Sequence, residues 1–244
     1  MFLFLKTIRT YFFWLIIFVF FTLICLPFAL LPKKIRYENR FYFFLTGLWC
    51  KLLVFFSFIL VKTKGEDNLP KYPNNPAIIV MNHSSLLDIF CIEDLLGSYP
   101  HIWLSKGECG KIPLFNILLK RMHVLVKRES PRQAIRALYK IYDLAKDKTT
   151  HVLVFPEGKR YDDGKVHHFY SGFAVLAKKL KRPIIPIAIC GANEILSKKS
   201  WLIDSRATDV KLIIGDPVFY DENKTDEEFV KKIHDWFAQK LEEN

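Results

Sequence analysis

Two long apolar stretches near the N-terminus constrain this chain more than any other feature. From Tyr11 to Pro32 the sequence reads YFFWLIIFVFFTLICLPFALLP with no charge, and from Phe41 to Val61 it reads FYFFLTGLWCKLLVFFSFILV with only Lys51. About 20 apolar residues suffice for a helix to cross a bilayer. A secretory signal has a shorter apolar region ending in a small-residue cleavage site, which is not evident after Ile24. A buried helical hairpin in a soluble core is the other alternative, but both segments are apolar on every face, which favours lipid. The expected organisation is therefore a membrane-embedded helical hairpin over 1–64 and a second unit over 65–244.

Charge agrees. Residues 1–64 hold nine Lys/Arg against one acid, Glu38, a net +8 of the chain's +11. A nucleic-acid binder concentrates its basic excess on a folded domain with a groove-reading motif. Here the excess flanks lipid-facing segments and suits anionic phospholipid head groups, so membrane phospholipids are the expected partner and nucleic acid is not. If both helices crossed, the loop Lys33–Arg40, with four bases, would lie opposite Lys6/Arg9 and Lys62/Lys64. The positive-inside bias disfavours that. A hairpin bent near Pro27 and Pro32 keeps every basic cluster on the cytoplasmic face of a cell inner membrane, with Lys51 snorkelling or set against protein. The five cysteines form no CxxC pair, and His167–His168 has no nearby ligand partner, so free thiols and no metal site are expected.

Beyond the linker, short apolar runs alternate with helical patterns. Strands are expected at 77–81, 102–105, 151–155, 184–189 and 210–214, and helices near 85–96, 113–120, 130–146, 171–180 and 225–242. Ser130-Pro131 with Gln133, and Thr225 with Glu228, read as helix starts. The alternation predicts an α/β fold with a mostly parallel central sheet flanked by helices.

MNHSSLLDIF, residues 81–90, sets His83 and Asp88 five positions apart behind an apolar run. On one continuous helix they would stand about 140° apart and never touch. With the helix starting at Ser84 or Ser85, His83 lies on the preceding turn and can fold back onto Asp88. Equally, Ser85 as N-cap and Asp88 at the third helical position make an S-x-x-D box that needs no chemistry. Three further stretches bear on the choice: SKGECGKIPLFN with Lys106 and Glu108, VFPEGKR with Glu157, Gly158, Lys159 and Arg160, and PIIPIAI with its Pro186. Each has a bland reading as a loop, a basic turn, or an edge or bulged strand. Strand ends of an open parallel sheet are nevertheless where ligands bind.

In this order the four blocks resemble the glycerolipid acyltransferase family, with its N-H-x4-D, K-x-E, F-P-E-G-T-R-S and V-P-[VI] motifs, over about residues 60–220. The resemblance implies transfer of a fatty acyl group to the sn-2 hydroxyl of 1-acyl-sn-glycerol-3-phosphate for phospholipid biosynthesis. It implies His83 as general base, Asp88 holding the imidazole, and Lys106 and Arg160 on the acceptor's phosphate. Glu157 and Gly158 would shape that loop, with Glu157 buttressing Arg160, and backbone amides after Ser84 would face the oxyanion. The donor would be acyl-CoA or acyl carrier protein, with no bound cofactor. Lys159, Tyr161, Asn116 and Tyr170 depart from the family pattern, which leaves another lysolipid open as acceptor. A non-catalytic membrane-anchored binding module also stays open. A lipid-acting serine hydrolase is disfavoured because no G-x-S-x-G occurs.

Overall fold

The computed structural model describes residues 2–69, 75–106, 115–126, 130–204 and 209–244. Its seven strands are β1 (Leu60–Lys64), β2 (Ile78–Met81), β3 (His101–Lys106), β4 (Val124–Val126), β5 (His151–Val154), β6 (Ile184–Cys190) and β7 (Asp209–Ile214). They form one sheet in the order β1-β7-β6-β2-β5-β3-β4, parallel throughout except between β6 and β7. β2 shows why the centre holds: Ile79 and Met81 enter one core and Ile78 and Val80 the other, as the two-residue period of a strand requires. A central parallel strand is covered on both faces, hence its unbroken apolar run.

Parallel neighbours need crossovers, and helices supply them. On one face lie α5 (Leu87–Leu96) and the short α9 (Ala192–Ile195), and on the other α7 (Pro131–Ala145), α8 (Gly172–Leu180) and α10 (Asp226–Glu242). A further helix, α6 (Phe115–Met122), leads into β4. Ser130 caps α7 and Thr225–Glu228 closes a capping box on α10, as the sequence indicates. Pro186 does not mark an edge strand, because β6 is central. Its carbonyl accepts from Gly215 N at 2.9 Å, so its donorless nitrogen faces the side where β7 has already ended.

The N-terminal arm departs from the expectation in two ways. α1 (Phe2–Phe20) continues through a π turn (Phe21–Cys25) into α2 (Leu26–Leu30), and after α3 (Lys33–Arg36) comes α4 (Arg40–Phe56). The second apolar stretch thus stops being helix at Phe56, and Leu60–Lys64, expected inside the membrane segment, is an edge strand paired with β7. Leu60, Lys62 and Lys64 are exposed while Val61 and Thr63 are half-buried, a pattern that suits an edge strand with one open face.

Nor are the two helices bare on every side. Phe13 packs edge-on against Phe90 of α5 at 5.7 Å, and Leu53 and Val54 of α4 join the same core. Gly47 lets α4 and α5 meet, since a Cβ there would sit 2.7 Å from Gly97 Cα. Lys51 stands beside Asp94 of α5. The outer faces stay uncovered: Phe4, Ile8, Tyr11, Leu15 and Phe18 on α1, and Phe41, Phe44, Leu48, Leu52 and Phe55 on α4. Each set repeats every three or four residues, one stripe along its helix.

Candidate active site

β2, β3, β5 and β6 run in one direction, so their carboxyl ends share one edge of the sheet. His83 follows β2, Lys106 ends β3, and Glu157 follows β5. The topology alone therefore gathers three of the four sequence blocks.

His83 leaves β2 on a turn that is pinned from several sides. Asn82 gives its amide hydrogen to Ile189 O (2.9 Å) and takes one from Ile189 N (2.8 Å), imitating a strand pair between β2 and β6. The peptide groups of His83 are both engaged: its N–H donates to Glu157 Oε2 at 3.0 Å, and its carbonyl accepts from Tyr161 N at 2.9 Å. The imidazole stacks on Phe155, centroids 3.9 Å apart and planes 11° from parallel, and Phe155 in turn stacks on Trp103 at 5.2 Å. The Trp103 indole is fixed by donating to Glu93 at 2.8 Å.

His83 Nδ1 lies 2.8 Å from Asp88 Oδ2. That oxygen also accepts from Ser84 N and Ser85 N, each at 2.8 Å, and Asp88 is fully buried. A buried carboxylate is costly unless its charge is met. Here two amides and the N-terminal dipole of α5 meet it, so it remains an acceptor and Nδ1 must carry the hydrogen. In the neutral imidazole, Nε2 then holds the lone pair. Asp88 Oδ1, also buried, has no hydrogen-bond partner among the described residues.

The helix begins later than expected. α5 starts at Leu87, and Ser85 is not its N-cap: its hydroxyl donates to Leu196 O at 2.6 Å and accepts from Leu87 N at 3.1 Å. Asp88 closes the turn by binding the Ser84 and Ser85 amides and holds His83 with the same oxygen, so capping and the His83–Asp88 contact coexist. Those two amides are consumed, which removes them as donors to an oxyanion.

Glu157 also differs from the expectation. Rather than buttressing Arg160, its carboxylate accepts from His83 N and, through Oε1, from His167 N at 3.1 Å. Burial pushes it up to about 7, although both amides pull the other way. Gly158 adopts φ 77°, the left-handed conformation that the turn requires and that glycine takes without strain. Arg160 is half-buried on this loop beside Tyr161, whose ring stacks on His167 at 3.5 Å and lies under Lys159 at 4.8 Å. The Lys106 side chain and residues 107–114, with Glu108, lie outside the described residues.

Asn82 and Phe155 escaped the sequence reading as positioning residues. The signal for Asn82 was present, since an amide directly after a fully buried strand must find partners. The stacking of Phe155 on His83 is tertiary and has no local sign.

A family model described as Acyltransferase matches residues 60–190. The chain is 34% identical over 194 residues to the chloroplastic 1-acyl-sn-glycerol-3-phosphate acyltransferase of Brassica napus, covering 79% of this chain and 54% of that protein. It is 28% identical over 202 residues to the 1-acyl-sn-glycerol-3-phosphate acyltransferase of Pseudomonas aeruginosa, covering 80% and 76%. The chain thus spans about half the length of the first plant relatives and more of the bacterial one. Its fold is similar to the crystal structure of the 1-acyl-sn-glycerophosphate (LPA) acyltransferase PlsC from Thermotoga maritima, with TM-score 0.79, 26% identity, and 100% and 97% of the two chains covered.

Proposed function

This chain belongs to the Acyltransferase family, and from that premise we propose that it transfers a fatty acyl group from acyl-CoA or acyl carrier protein to the sn-2 hydroxyl of 1-acyl-sn-glycerol-3-phosphate, yielding phosphatidic acid. The observation that carries the proposal is the His83–Asp88 contact, with Nδ1 held and Nε2 left as base. Nε2 takes the proton as the acceptor oxygen attacks the thioester carbon. The resulting imidazolium faces buried Asp88, which stabilises it without being protonated. Collapse of the tetrahedral intermediate breaks the C–S bond, and the departing thiolate receives the proton from His83. Atoms balance with no cofactor. Arg160 and Lys106 hold the phosphate, the first as a planar fork and the second as a point charge. Glu157 and Gly158 shape the loop that presents Arg160.

The arm, residues 1–56, is proposed to rest in the cytoplasmic leaflet of a cell inner membrane as the membrane-embedded unit, with β1 and everything after it in the catalytic unit. Contacts at both ends of α1–α2 support this. Lys6 pairs with Asp204 at 3.5 Å, while Arg121 binds the carbonyls of Ala29, Leu30 and Leu31. The loop after α2 is tied to the catalytic unit too, by Tyr37 Oη to Arg121 O (2.8 Å) and Lys148 to Glu38 (2.7 Å). A loop so held is on the catalytic side of the membrane. Cysteines at Lys34 and Lys64 should then label from the same side, and opposite labelling would establish a spanning pair.

The Tyr161–His167 stack, standing where the family has serine, favours a second reading in which another lysolipid is the acceptor. Incubating labelled acyl thioester with a panel of lysolipids tests both. Labelled phosphatidic acid as the dominant product supports the first reading, and labelled product only with phosphate-free or larger head groups replaces it with the second.

A further inference from the structure

The uncovered apolar face does not end with the arm. Trp201 lies in the connection between α9 and β7, yet it is 51% exposed, and its ring meets Tyr11 of α1 edge-on at 5.5 Å. Its carbonyl accepts from Trp14 Nε1 at 3.1 Å, and two residues on, Ile203 N donates to Thr10 Oγ1 at 3.0 Å. The aromatic ring is therefore presented at the border of the α1 stripe by a backbone that α1 fixes. Lys198 and Lys199 precede it, both exposed, with Lys199 Nζ 3.9 Å from Asp162. An amphipathic ring beside two lysines is the composition found at the head-group level of membranes.

We propose that residues 197–202 form a second membrane contact, made by the catalytic unit itself, that takes an anionic phospholipid surface. Three observations support a lipid layer as the occupant. The patch is continuous with the apolar face of α1 through Tyr11. Its charge is complementary to anionic head groups. The half-exposed indole suits the interface better than bulk water. The contact also reaches the site. Leu196 O receives the Ser85 hydroxyl, and Ser197 Oγ donates to Asp162 Oδ2 at 3.4 Å, two residues past Arg160. One segment thus joins the bilayer to the turn that holds Asp88 and to the loop that carries Arg160, which sets the depth of the cleft relative to the head groups.

The test places an environment-sensitive fluorophore on Lys199→Cys, with Lys232→Cys on α10 as the control from the opposite face of the sheet. Both are made in a variant whose five native cysteines are replaced, and the whole protein is reconstituted into phosphatidylcholine vesicles with or without phosphatidylglycerol. The expected result is a blue shift at 199, and quenching by a nitroxide lipid labelled at the head group, both stronger with phosphatidylglycerol and both absent at 232. Equal, water-like emission at the two positions overturns the proposal, whatever the enzyme's acceptor proves to be. A second measurement rests on the acyl-transfer reading. Lys198→Gln should slow turnover of lysophosphatidate presented in phosphatidylglycerol vesicles about fivefold, given about 1 kcal/mol per lysine near an anionic surface, and spare a water-soluble short-chain acceptor. Equal loss on both acceptors would make the segment a structural support of the site and contradict a lipid contact.

Discussion

The His83–Asp88 turn and the N-terminal arm solve opposite problems with the same helix, α5. At its N-terminus, three donors converge on one oxygen of a buried carboxylate, and His83 is held at its N–H, its carbonyl, its Nδ1 and its ring face. Along its flank, α5 receives α1 and α4 mainly through apolar packing, with a glycine-on-glycine approach at Gly47 and Gly97 and one charged neighbour, Lys51 beside Asp94. The first arrangement is directional and specifies one geometry. The second is non-directional, and its outer half is left uncovered. The comparison teaches that polar density marks where chemistry needs fixed atoms, while apolar continuity marks where the solvent changes.

Changes at the turn should therefore act on rate, and changes in the arm on stability and membrane engagement. The largest effect belongs to His83→Ala, expected to lower acyl transfer by about 10² to 10⁴-fold, the usual contribution of a positioned base. Its circular dichroism should match that of the parent. Asp88→Asn should fall short of that in rate, and it should also destabilise, because the Asn side chain cannot accept from Ser84 N, Ser85 N and His83 through one anionic oxygen. A loss of about 1 to 3 kcal/mol in denaturant unfolding is expected from a damaged buried network.

Arg160→Ala should raise KM for lysophosphatidate with little change in kcat, by an amount matching about 1.5 to 3 kcal/mol for a charge-assisted bond to phosphate. An equal rise with a phosphate-free acceptor would show Arg160 to be structural. On the arm side, Gly47→Ala forces a Cβ to 2.7 Å from the Gly97 backbone, where neither helix can yield by a rotamer change. It should cost about 1 to 3 kcal/mol as an overpacked contact, read as a lowered melting temperature, while leaving KM for a soluble acceptor unchanged. A large loss of kcat there would erase the distinction between the two regions.

The smallest effect concerns pH. Glu157 is raised by burial to about 7, above the roughly 4.3 of an exposed glutamate. A carboxyl group whose folded value is raised stabilises fully below its unfolded value, and that stabilisation is lost as pH climbs through about 7. The parent's melting temperature should thus decline between pH 5 and 8 more than that of Glu157→Gln. Parallel profiles would mean that Glu157 titrates normally.

Much of this was legible in the residues. The apolar runs mark five of the seven strands, the buried parallel ones through near-continuous hydrophobic segments and β7 through Val210, Leu212 and Ile214 alternating with more exposed residues. β1 was hidden because Leu60 and Val61 continue an apolar helix without a break in composition, and only pairing with β7 makes them strand. β4 is three residues long and carries too little pattern. At the site, the spacing of His83 and Asp88 is informative for a helix that starts just after His83, but the start itself falls two residues later than Ser85, whose hydroxyl donates to Leu196 O, 111 residues away. The role of Glu157 depends on the amides of His83 and His167 arriving beside it, and nothing local announces such partners.

The most direct test of the acyl-transfer account measures both products at once. The purified protein in phospholipid vesicles is given an acyl thioester labelled in the acyl carbon, with and without lysophosphatidate, and free thiol and labelled phosphatidic acid are followed together. The account predicts that thiol and phosphatidic acid appear one for one, that neither appears without the acceptor, and that His83→Ala abolishes both. Thiol released at full rate without acceptor would reveal a hydrolase, and silence in every condition would reduce the His83–Asp88 turn to a helix cap.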